Sequence, residues 1–506
     1  MTASIVPAPL EQTVDAAASP FLFTASTRVV ATSDAAAATA ALAAEQLSAQ
    51  LPSPIATAGA GATAADVILT LVDDSSLGAE GYRLAVGDGV RIEASTPAGL
   101  FYGVQSLRQL TGANGAVPAT TVTDAPRFAY RGVMLDVARY FHGLDTVKAY
   151  IDRASALKLN TLHLHLSDDQ GWRIQIDAYP RLTELASGSD MAGGEGGFFT
   201  KADYREIVEH AAARHMIIVP EIDTPGHTHA VSLAYPELVE EPVILDYMSP
   251  DDVGGIPVSG TPYTGGTVGF SSLKSDEERT YDFLTAVFAE LAEMTPGPYL
   301  HLGGDEALGT APADFVKFVT RAAAIVAATG KTPMAWHEAG AASELPAGTV
   351  GQYWNYRTPQ DGHAAKAVSF VEQGGKLVFS PADAIYLDMK YDEATPLGLS
   401  WAGLTSVATS YDWDPATVFP GIGDADILGV EAPMWSETLR SLADIDAMAF
   451  PRIASAAEIA WSPAAGASAQ RTWESFRSRV GALGPHWSAL GIAFSPRDDI
   501  AWATGA

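Results

Sequence analysis

From Arg131 onward, short apolar runs of strand length alternate with amphipathic runs of helix length. Eight strand candidates follow one another, at residues 132–137, 161–166, 216–222, 299–303, 333–336, 351–354, 377–380 and 428–432. Parallel strands need long crossovers, and eight of them close a sheet on itself. The pattern therefore predicts an α/β fold, a (β/α)8 (TIM) barrel. Helical signals lie between the strands. Ser275 with Glu278 predicts a capping box ahead of the apolar run at 283–294. Residues 201–216 carry apolar side chains at helical spacing, and a further helical segment ends near Gly330 before Pro333. The stretch 240–274 is rich in Gly and Pro and has little periodicity. It reads as a long loop on the catalytic face of the barrel.

The 506 residues exceed what an average domain needs. The first 125 differ from the rest, being rich in Ala, Thr and Ser. Strands are expected at 66–72, 82–86 and 90–94, and helices at 35–51 and 97–110. This predicts a smaller α+β accessory domain over 1–125, an exit linker at Asp124-Ala125-Pro126-Arg127, and a catalytic barrel over 126–506. No internal repeat stands out.

In such barrels the active site lies where the strands end. The fourth candidate strand runs into His301-Leu302-Gly303-Gly304-Asp305-Glu306. Two glycines free the backbone to take unusual angles and to approach a ligand closely. Two adjacent carboxylates then push each other's pKa values apart, which suits one anion and one proton donor. That is equipment for cleaving a glycosidic bond. The other strand ends bring Arg139, Asp168, His227, Trp336, Trp354, Tyr386, Asp388, Trp435 and Glu437. Aromatic faces pack on the C–H faces of a pyranose, while carboxylates and Arg bind its hydroxyls. His163 and His165 share a strand, and at least one of them is expected to face the core or the helices.

Several classes of function are disfavoured. Thirty basic against sixty acidic side chains give a net charge of −30. This repels nucleic acid and acidic membranes and leaves a small neutral or cationic partner. The chain has no cysteine, which removes disulfides, thiol catalysis and cysteine-zinc sites. His163, His165 and His227 with Asp168 could be read as metal ligands, but no His-x-x-x-His helix supports that reading, and no metal is expected. There is no Gly-x-Ser-x-Gly, phosphate-binding loop or dinucleotide fingerprint. No apolar run is long enough to span a bilayer, and the first positive charge is Arg28. A cytoplasmic location is expected, unless a leader has been removed.

At these residues the chain resembles the glycoside hydrolase family 20 β-N-acetylhexosaminidases. His-x-Gly-Gly-Asp-Glu is the most specific match. Arg-Gly-x-x-Leu-Asp-x-x-Arg (131–139), Asp-Asp-Gln-Gly-Trp-Arg (168–173), Asp-Thr-Pro-Gly-His (223–227) and Trp-Ser-Glu (435–437) support it in the right order. Gly81-Tyr82-Arg83-Leu84 and residues 99–110 resemble that family's N-terminal domain. The resemblance implies exo action on terminal β-linked GlcNAc or GalNAc, with retention and no cofactor. The nucleophile would be the substrate's own 2-acetamido oxygen, which sets this family apart from most retaining glycosidases.

By resemblance, Glu306 would be the general acid and then the base. Asp305 would stabilise the oxazolinium intermediate, and Tyr386 would donate to the acetamido oxygen. Trp336, Trp354 and Trp435 would wall the acetamido pocket. Arg139 and Glu437 would hold O3 and O4, and Asp388 would hold O6. Trp401 would stack on the sugar past the cleaved bond, and Asp168 with His227 would relay to Glu306. The sequence departs from the family where Tyr140-Phe141-His142 follows Arg139, and the loop 240–274 is long for it. A disaccharide-releasing relative and an inactive sugar-binding barrel are the alternatives. Oligomeric state is left open.

Overall fold

Eight parallel strands close into a barrel in the computed structural model, which describes residues 3–59, 61–252 and 254–503. They are β1 (Tyr130–Asp136), β2 (Thr161–His165), β3 (Ile217–Glu221), β4 (Tyr299–His301), β5 (Thr332–Trp336), β6 (Val350–Tyr353), β7 (Lys376–Phe379) and β8 (Ile427–Ala432). Closure is made by β1, which pairs with β2 (Gly132 opposite Thr161) and with β8 (Tyr130 opposite Gly429). All eight expected strands are present, shifted by a residue or two at their ends.

Side chains alternate across each strand. The outward set, such as Val133, Leu135, Leu162 and Leu164, packs under the helices in one continuous core. The inward set is layered. Tyr130, Val219, Met334, Val350 and Val378 fill the lower barrel with apolar volume. Above them the filling turns ionic, with His163, Glu221, His301 and Glu431 all buried. Gly132 makes this possible, because a Cβ there would stand 2.6 Å from the Tyr130 ring and 2.8 Å from the Glu431 carboxylate.

Two helical expectations need correction. The helix Glu278–Met294 begins after Glu277 and has no side-chain cap. Ser275 lies too far upstream, and its carbonyl instead accepts the Tyr281 hydroxyl at 2.6 Å. A capping box does form at Thr200 and Asp203, ahead of the helix Lys201–Ala212. Strand–helix alternation also lapses after β5, where only a 3-10 turn, His337–Ala341, leads to β6. The next helix, His363–Glu372, occupies that space. Its Lys366 carbonyl oxygen lies 1.9 Å from where a Gly340 Cβ would stand.

The N-terminal segment forms a seven-stranded mixed sheet. Helices Ala37–Ser48 and Pro97–Leu110 pack against it. The second helix is buried on nearly every side because it lies between the sheet and the barrel. Its Tyr102 meets Trp461 edge-on at 5.1 Å. The seam is ionic at its centre. Lys158 Nζ donates to Asp124 Oδ2 at 2.8 Å and to the Tyr82 hydroxyl at 2.9 Å, and Trp461 Nε1 donates to Asp124 Oδ1 at 2.9 Å. Arg131 grips Glu80 with two bonds of 2.7 and 3.0 Å. Among the described residues no helix is long and apolar enough to cross a membrane.

Lys158 and Asp124 are both fully buried. Lys158→Met should therefore cost about 3–5 kcal/mol in denaturant unfolding, because it strands a buried carboxylate. A cost below about 1 kcal/mol would contradict that role for the seam.

Candidate active site

A cavity of about 410 Å³ opens at the C-terminal ends of the strands. Arg139, His227, Asp305, Glu306, Trp354, Tyr386, Trp401, Trp435 and Glu437 line it, nine of the twelve residues singled out from the sequence. Asp168, Trp336 and Asp388 stand behind the lining and are buried. The loop 240–274 does reach this face, where its Gly266 and Val268 form part of the wall.

Local turns explain how the side chains arrive. After β1, Asp136 Oδ1 accepts the backbone N–H groups of Ala138 and Arg139 at 2.8 and 3.0 Å, which turns Arg139 back over the barrel mouth. There its guanidinium lies 4.8 Å from the Trp435 ring. After β3 and β4, His227 and Glu306 take positive φ of 56° and 43°. Such angles are costly for L-residues and are held only where the surroundings impose them, as at functional sites.

Both glycines take the unusual backbone angles expected of them, with φ of 75° and 106°, but the close approach at Gly303 is to a side chain of the protein itself. A Cβ there would stand 1.7 Å from Asp223 Oδ1. The glycine makes room for a carboxyl side chain, not for a ligand. Asp223 Oδ1 accepts the Gly304 N–H at 3.1 Å. Asp223 Oδ2 and Asp305 Oδ1 are both buried and find no donor elsewhere. The two carboxyls are close enough to share a proton. Burial and the neighbouring Asp305 hold Asp223 well above the usual carboxylate range, so it keeps the proton and donates it to Asp305. Burial raises Asp305 to about 6, with His227 and the Asp223 bond pulling down and Glu306 pushing up.

His227 stands between the acids. Its Nε2 lies 3.7 Å from Asp305 Oδ2 and 3.6 Å from Glu306 Oε2, and its Nδ1 lies 3.1 Å from Asp168 Oδ1. Burial opposes its charge, but Asp168 and Asp305 outweigh burial and raise it well above the ordinary histidine value. Asp168 Oδ2 in turn contacts Arg139 Nη1 at 2.9 Å and His165 Nε2 at 2.7 Å. Although buried, Asp168 stays far below the usual carboxylate range because Arg139 and His227 attract its charge.

The chain of alternating acids and imidazoles continues inward. His165 Nδ1 donates to Glu221 Oε2 at 2.5 Å, His163 Nε2 lies 3.1 Å from the same oxygen, and His163 Nδ1 meets Glu431 Oε1 at 2.9 Å. Both β2 histidines thus face the barrel interior, as residues two apart must. Burial disfavours their charge, yet the carboxylates raise His163 to about 9 and His165 to about 10. His163, Glu221 and His301 come close enough to share an ion, as do Asp168, Asp223 and His227. Cationic His163 and His165 turn N–H groups toward carboxylates, which is the opposite of what a metal ligand offers.

The far wall is aromatic. Trp354 meets Trp401 at 6.1 Å, and Tyr386 lies 5.9 Å from Trp401 and 6.3 Å from Trp435. Trp336 is fully buried beneath this wall. Its Nε1 donates to Glu221 Oε1 at 2.8 Å and its ring lies 6.1 Å from Trp435, so it supports the wall from behind. Glu338 holds Trp354 through its indole N–H at 2.9 Å. Burial keeps Tyr386 protonated far above the usual phenol range. At the deep end, burial raises Glu437 to about 7 against the pull of Arg139, and burial with Glu437 raises Asp388 strongly. Among the described residues, Glu437 Oε2 and both Asp388 oxygens have no side-chain partner.

Glu221, Asp223 and Glu338 were not singled out as site residues from the sequence, and His165 entered only as a disfavoured metal ligand. The available signal was their position, since each stands at or just past the end of an apolar strand. Because His163 and His165 are cationic, both rings should show two protonated nitrogens by NMR at pH 8. A neutral ring at either position would contradict the buried charge chain.

The family model described as glycosyl hydrolase family 20, catalytic domain, matches residues 128–315 and 309–464, and the one described as family 20, domain 2, matches 2–125. A curated β-N-acetylhexosaminidase of Cellulomonas fimi is 39% identical, covering 99% of this chain and 97% of its own. A solved glycoside hydrolase family 20 β-N-acetylglucosaminidase is 57% identical with a TM-score of 0.89, covering 99% of this chain and 100% of its own. The Streptomyces plicatus N-acetyl-β-hexosaminidase, solved with thio-NAglucal, is 44% identical with a TM-score of 0.90, covering 99% of this chain and 97% of its own. With both family models matched along most of its length, the chain belongs to glycosyl hydrolase family 20.

Proposed function

We propose that this chain is an exo-acting, retaining β-N-acetylhexosaminidase that releases terminal β-linked GlcNAc or GalNAc by substrate-assisted catalysis. The relatives are named as β-N-acetylhexosaminidase and β-N-acetylglucosaminidase, and a mutant of the Streptomyces plicatus enzyme was solved with GlcNAc as product. The observation that carries the reading is the single imidazole of His227. It sits 3.6–3.7 Å from both Asp305 and Glu306 and is anchored from behind by Asp168.

In this mechanism the substrate's acetamido oxygen attacks C1 while Glu306 protonates the departing glycosidic oxygen. An oxazolinium forms, and Glu306 then takes a proton from the water that opens it, with net retention. Asp305, as the anion, accepts from the acetamido N–H and lies beside the positive charge as it develops. Tyr386 donates to the acetamido oxygen. Trp354 and Trp435, backed by Trp336, confine the acetamido methyl so that the oxygen stays in a near-attack position. Arg139 and Glu437 bind O3 and O4, with Asp388 buried behind the lining, and Trp401 stacks on the leaving-group sugar. Arg139 and Glu437, placed to hold the hydroxyls of the terminal ring, argue against disaccharide release. No step requires a metal or a cofactor.

Asp305 must be ionised, and its pKa is raised to about 6. A raised acid is protonated below that value, so kcat/KM should fall as pH drops through about 6. Asp305→Asn should lower kcat by about 10²–10³ on acetamido substrates. Glu306→Gln should lose turnover while keeping affinity, whereas a sugar-binding barrel would lose neither. Unchanged kcat in Asp305→Asn would contradict the role assigned to it. The first experiment compares a chromogenic β-N-acetylglucosaminide with the matching β-glucoside. Cleavage of the first alone is expected, and comparable cleavage of both would mean a protein nucleophile.

Asp223 gives a separate test. If it is a neutral acid that donates to Asp305, Asp223→Asn keeps both of its hydrogen bonds and most of the activity. Asp223→Ala removes the donor, should cost about ten- to a hundredfold in kcat, and should move the acidic limb of the pH profile upward. Equal losses in the two variants would contradict the shared proton.

A further inference from the structure

The loop 240–274 is built as a fixed lobe beside the general acid. Its base is closed by the Val243 N–H on the Phe270 carbonyl at 2.9 Å and by a bridge between Val239 and Leu273. Its inside is an aromatic nucleus, Tyr263 and Phe270 at 4.8 Å, both buried and packed edge-on against His229. It is also bonded to the barrel. Gln170 Nε2 donates to the Gly265 carbonyl at 2.7 Å, and Ser271 Oγ donates to Asp169 Oδ1 at 2.6 Å. A lobe tied down in this way needs no ordering step when a ligand arrives.

On its outer side the lobe and the segment just after Glu306 leave large apolar side chains in water. Tyr247 and Leu308 are each 58% exposed and Val243 is 39% exposed. Exposed apolar side chains grouped in one region mark binding sites. The three are tied to the catalytic end of the cavity. The Leu308 N–H donates to the Glu306 carbonyl at 2.7 Å, and its side chain seats on Gly269, where a Cβ would stand 2.7 Å from Leu308 Cδ1. Val243 seats on Gly309 in the same way, at 3.0 Å. The Tyr247 hydroxyl donates to the carbonyl of Val268, a cavity-wall residue, at 2.9 Å, and Tyr247 lies near enough to Glu306 to feel its charge.

Glu306 stands where the glycosidic oxygen must be protonated, and Arg139 and Glu437 close the other end. A surface continuous with Glu306 on its outer side therefore faces the leaving group. The occupant's chemistry also follows. Exposed rings and aliphatic side chains match the C–H faces of a pyranose. The loop carries five carboxylates, at positions 240, 241, 246, 251 and 252, against one lysine at 274, so an anionic glycan is repelled.

We propose that Tyr247, with Leu308 and Val243, forms a subsite for an uncharged pyranose on the leaving-group side, beyond the ring that Trp401 stacks on. The chain is thereby selective for β-linked oligosaccharides of three or more sugars. This rests on the hexosaminidase reading above and deepens it.

The test measures kcat/KM for an aryl β-N-acetylglucosaminide and for the β-1,4-linked di-, tri- and tetrasaccharides of GlcNAc. In the unaltered protein the trisaccharide should exceed the disaccharide. Tyr247→Ala should lower tri- and tetrasaccharide kcat/KM about five- to tenfold through KM, leaving the aryl glycoside and disaccharide within about twofold. Tyr247→Phe, which keeps the ring, should retain the preference, and Leu308→Ser gives an independent loss at a second exposed position. Equal losses on every substrate would make the lobe merely structural, and no loss on the trisaccharide would remove the subsite. Either result overturns the proposal while leaving the hexosaminidase reading intact. Failure of the unaltered protein to cleave the aryl glycoside would overturn both.

Discussion

The buried carboxylate of Asp168 is the point on which the site hangs. An isolated carboxylate at that depth would be too costly to keep ionised. It is kept so by three neighbours from different strand ends, Arg139 after β1, His165 in β2 and His227 after β3. Each neighbour is then held by a further charge. His165 is tied to Glu221, Glu221 to His163, and His163 to Glu431 on β8. Removing one partner from such a chain leaves a buried charge uncompensated, so the strand ends are locked in mutual register. Rigid placement of His227 follows, and with it the placement of Asp305 and Glu306.

The order of charges also divides the labour between two adjacent carboxyls. Asp305 sits in the wall beside Asp223, which keeps the proton they share and leaves Asp305 as the anion. Glu306 follows at a positive φ, and its side chain reaches toward the open side of the cavity, where a third of it remains exposed. Two residues next to each other in the chain thereby face different parts of a substrate. One faces the acetamido group in the aromatic pocket, and the other faces the bond to be broken. The lobe formed by 240–274 begins where Glu306 ends and continues the surface outward.

Much of this was legible in the sequence because it depends on local pattern. Apolar runs of strand length locate all eight barrel strands, and polar residues just past them are brought together by closure of the barrel. That is why Arg139, Asp305, Glu306, Tyr386 and Glu437 meet although they are scattered over some three hundred positions. What was not legible depends on packing between distant segments. Gly303 looks like a glycine for a ligand, but the crowding atom belongs to Asp223. The missing helix after β5 reflects the position of His363–Glu372, whose backbone crowds Gly340, together with the short connection to β6. Ser275 has capping chemistry, yet the helix starts too late for it. The inward pairing of His163 and His165 with Glu221 and Glu431 joins residues far apart in the chain, and no spacing rule reports it.

The central claim is that the nucleophile belongs to the substrate and that the pocket only positions and charges it. The most direct measurement is kcat on aryl glycosides whose acetamido methyl carries zero, one, two or three fluorines. Each fluorine weakens the carbonyl oxygen as a nucleophile without changing the leaving group. A steep, regular fall in kcat along the series is predicted. A flat series would contradict participation by the acetamido oxygen and would require a carboxylate of the protein to attack in its place.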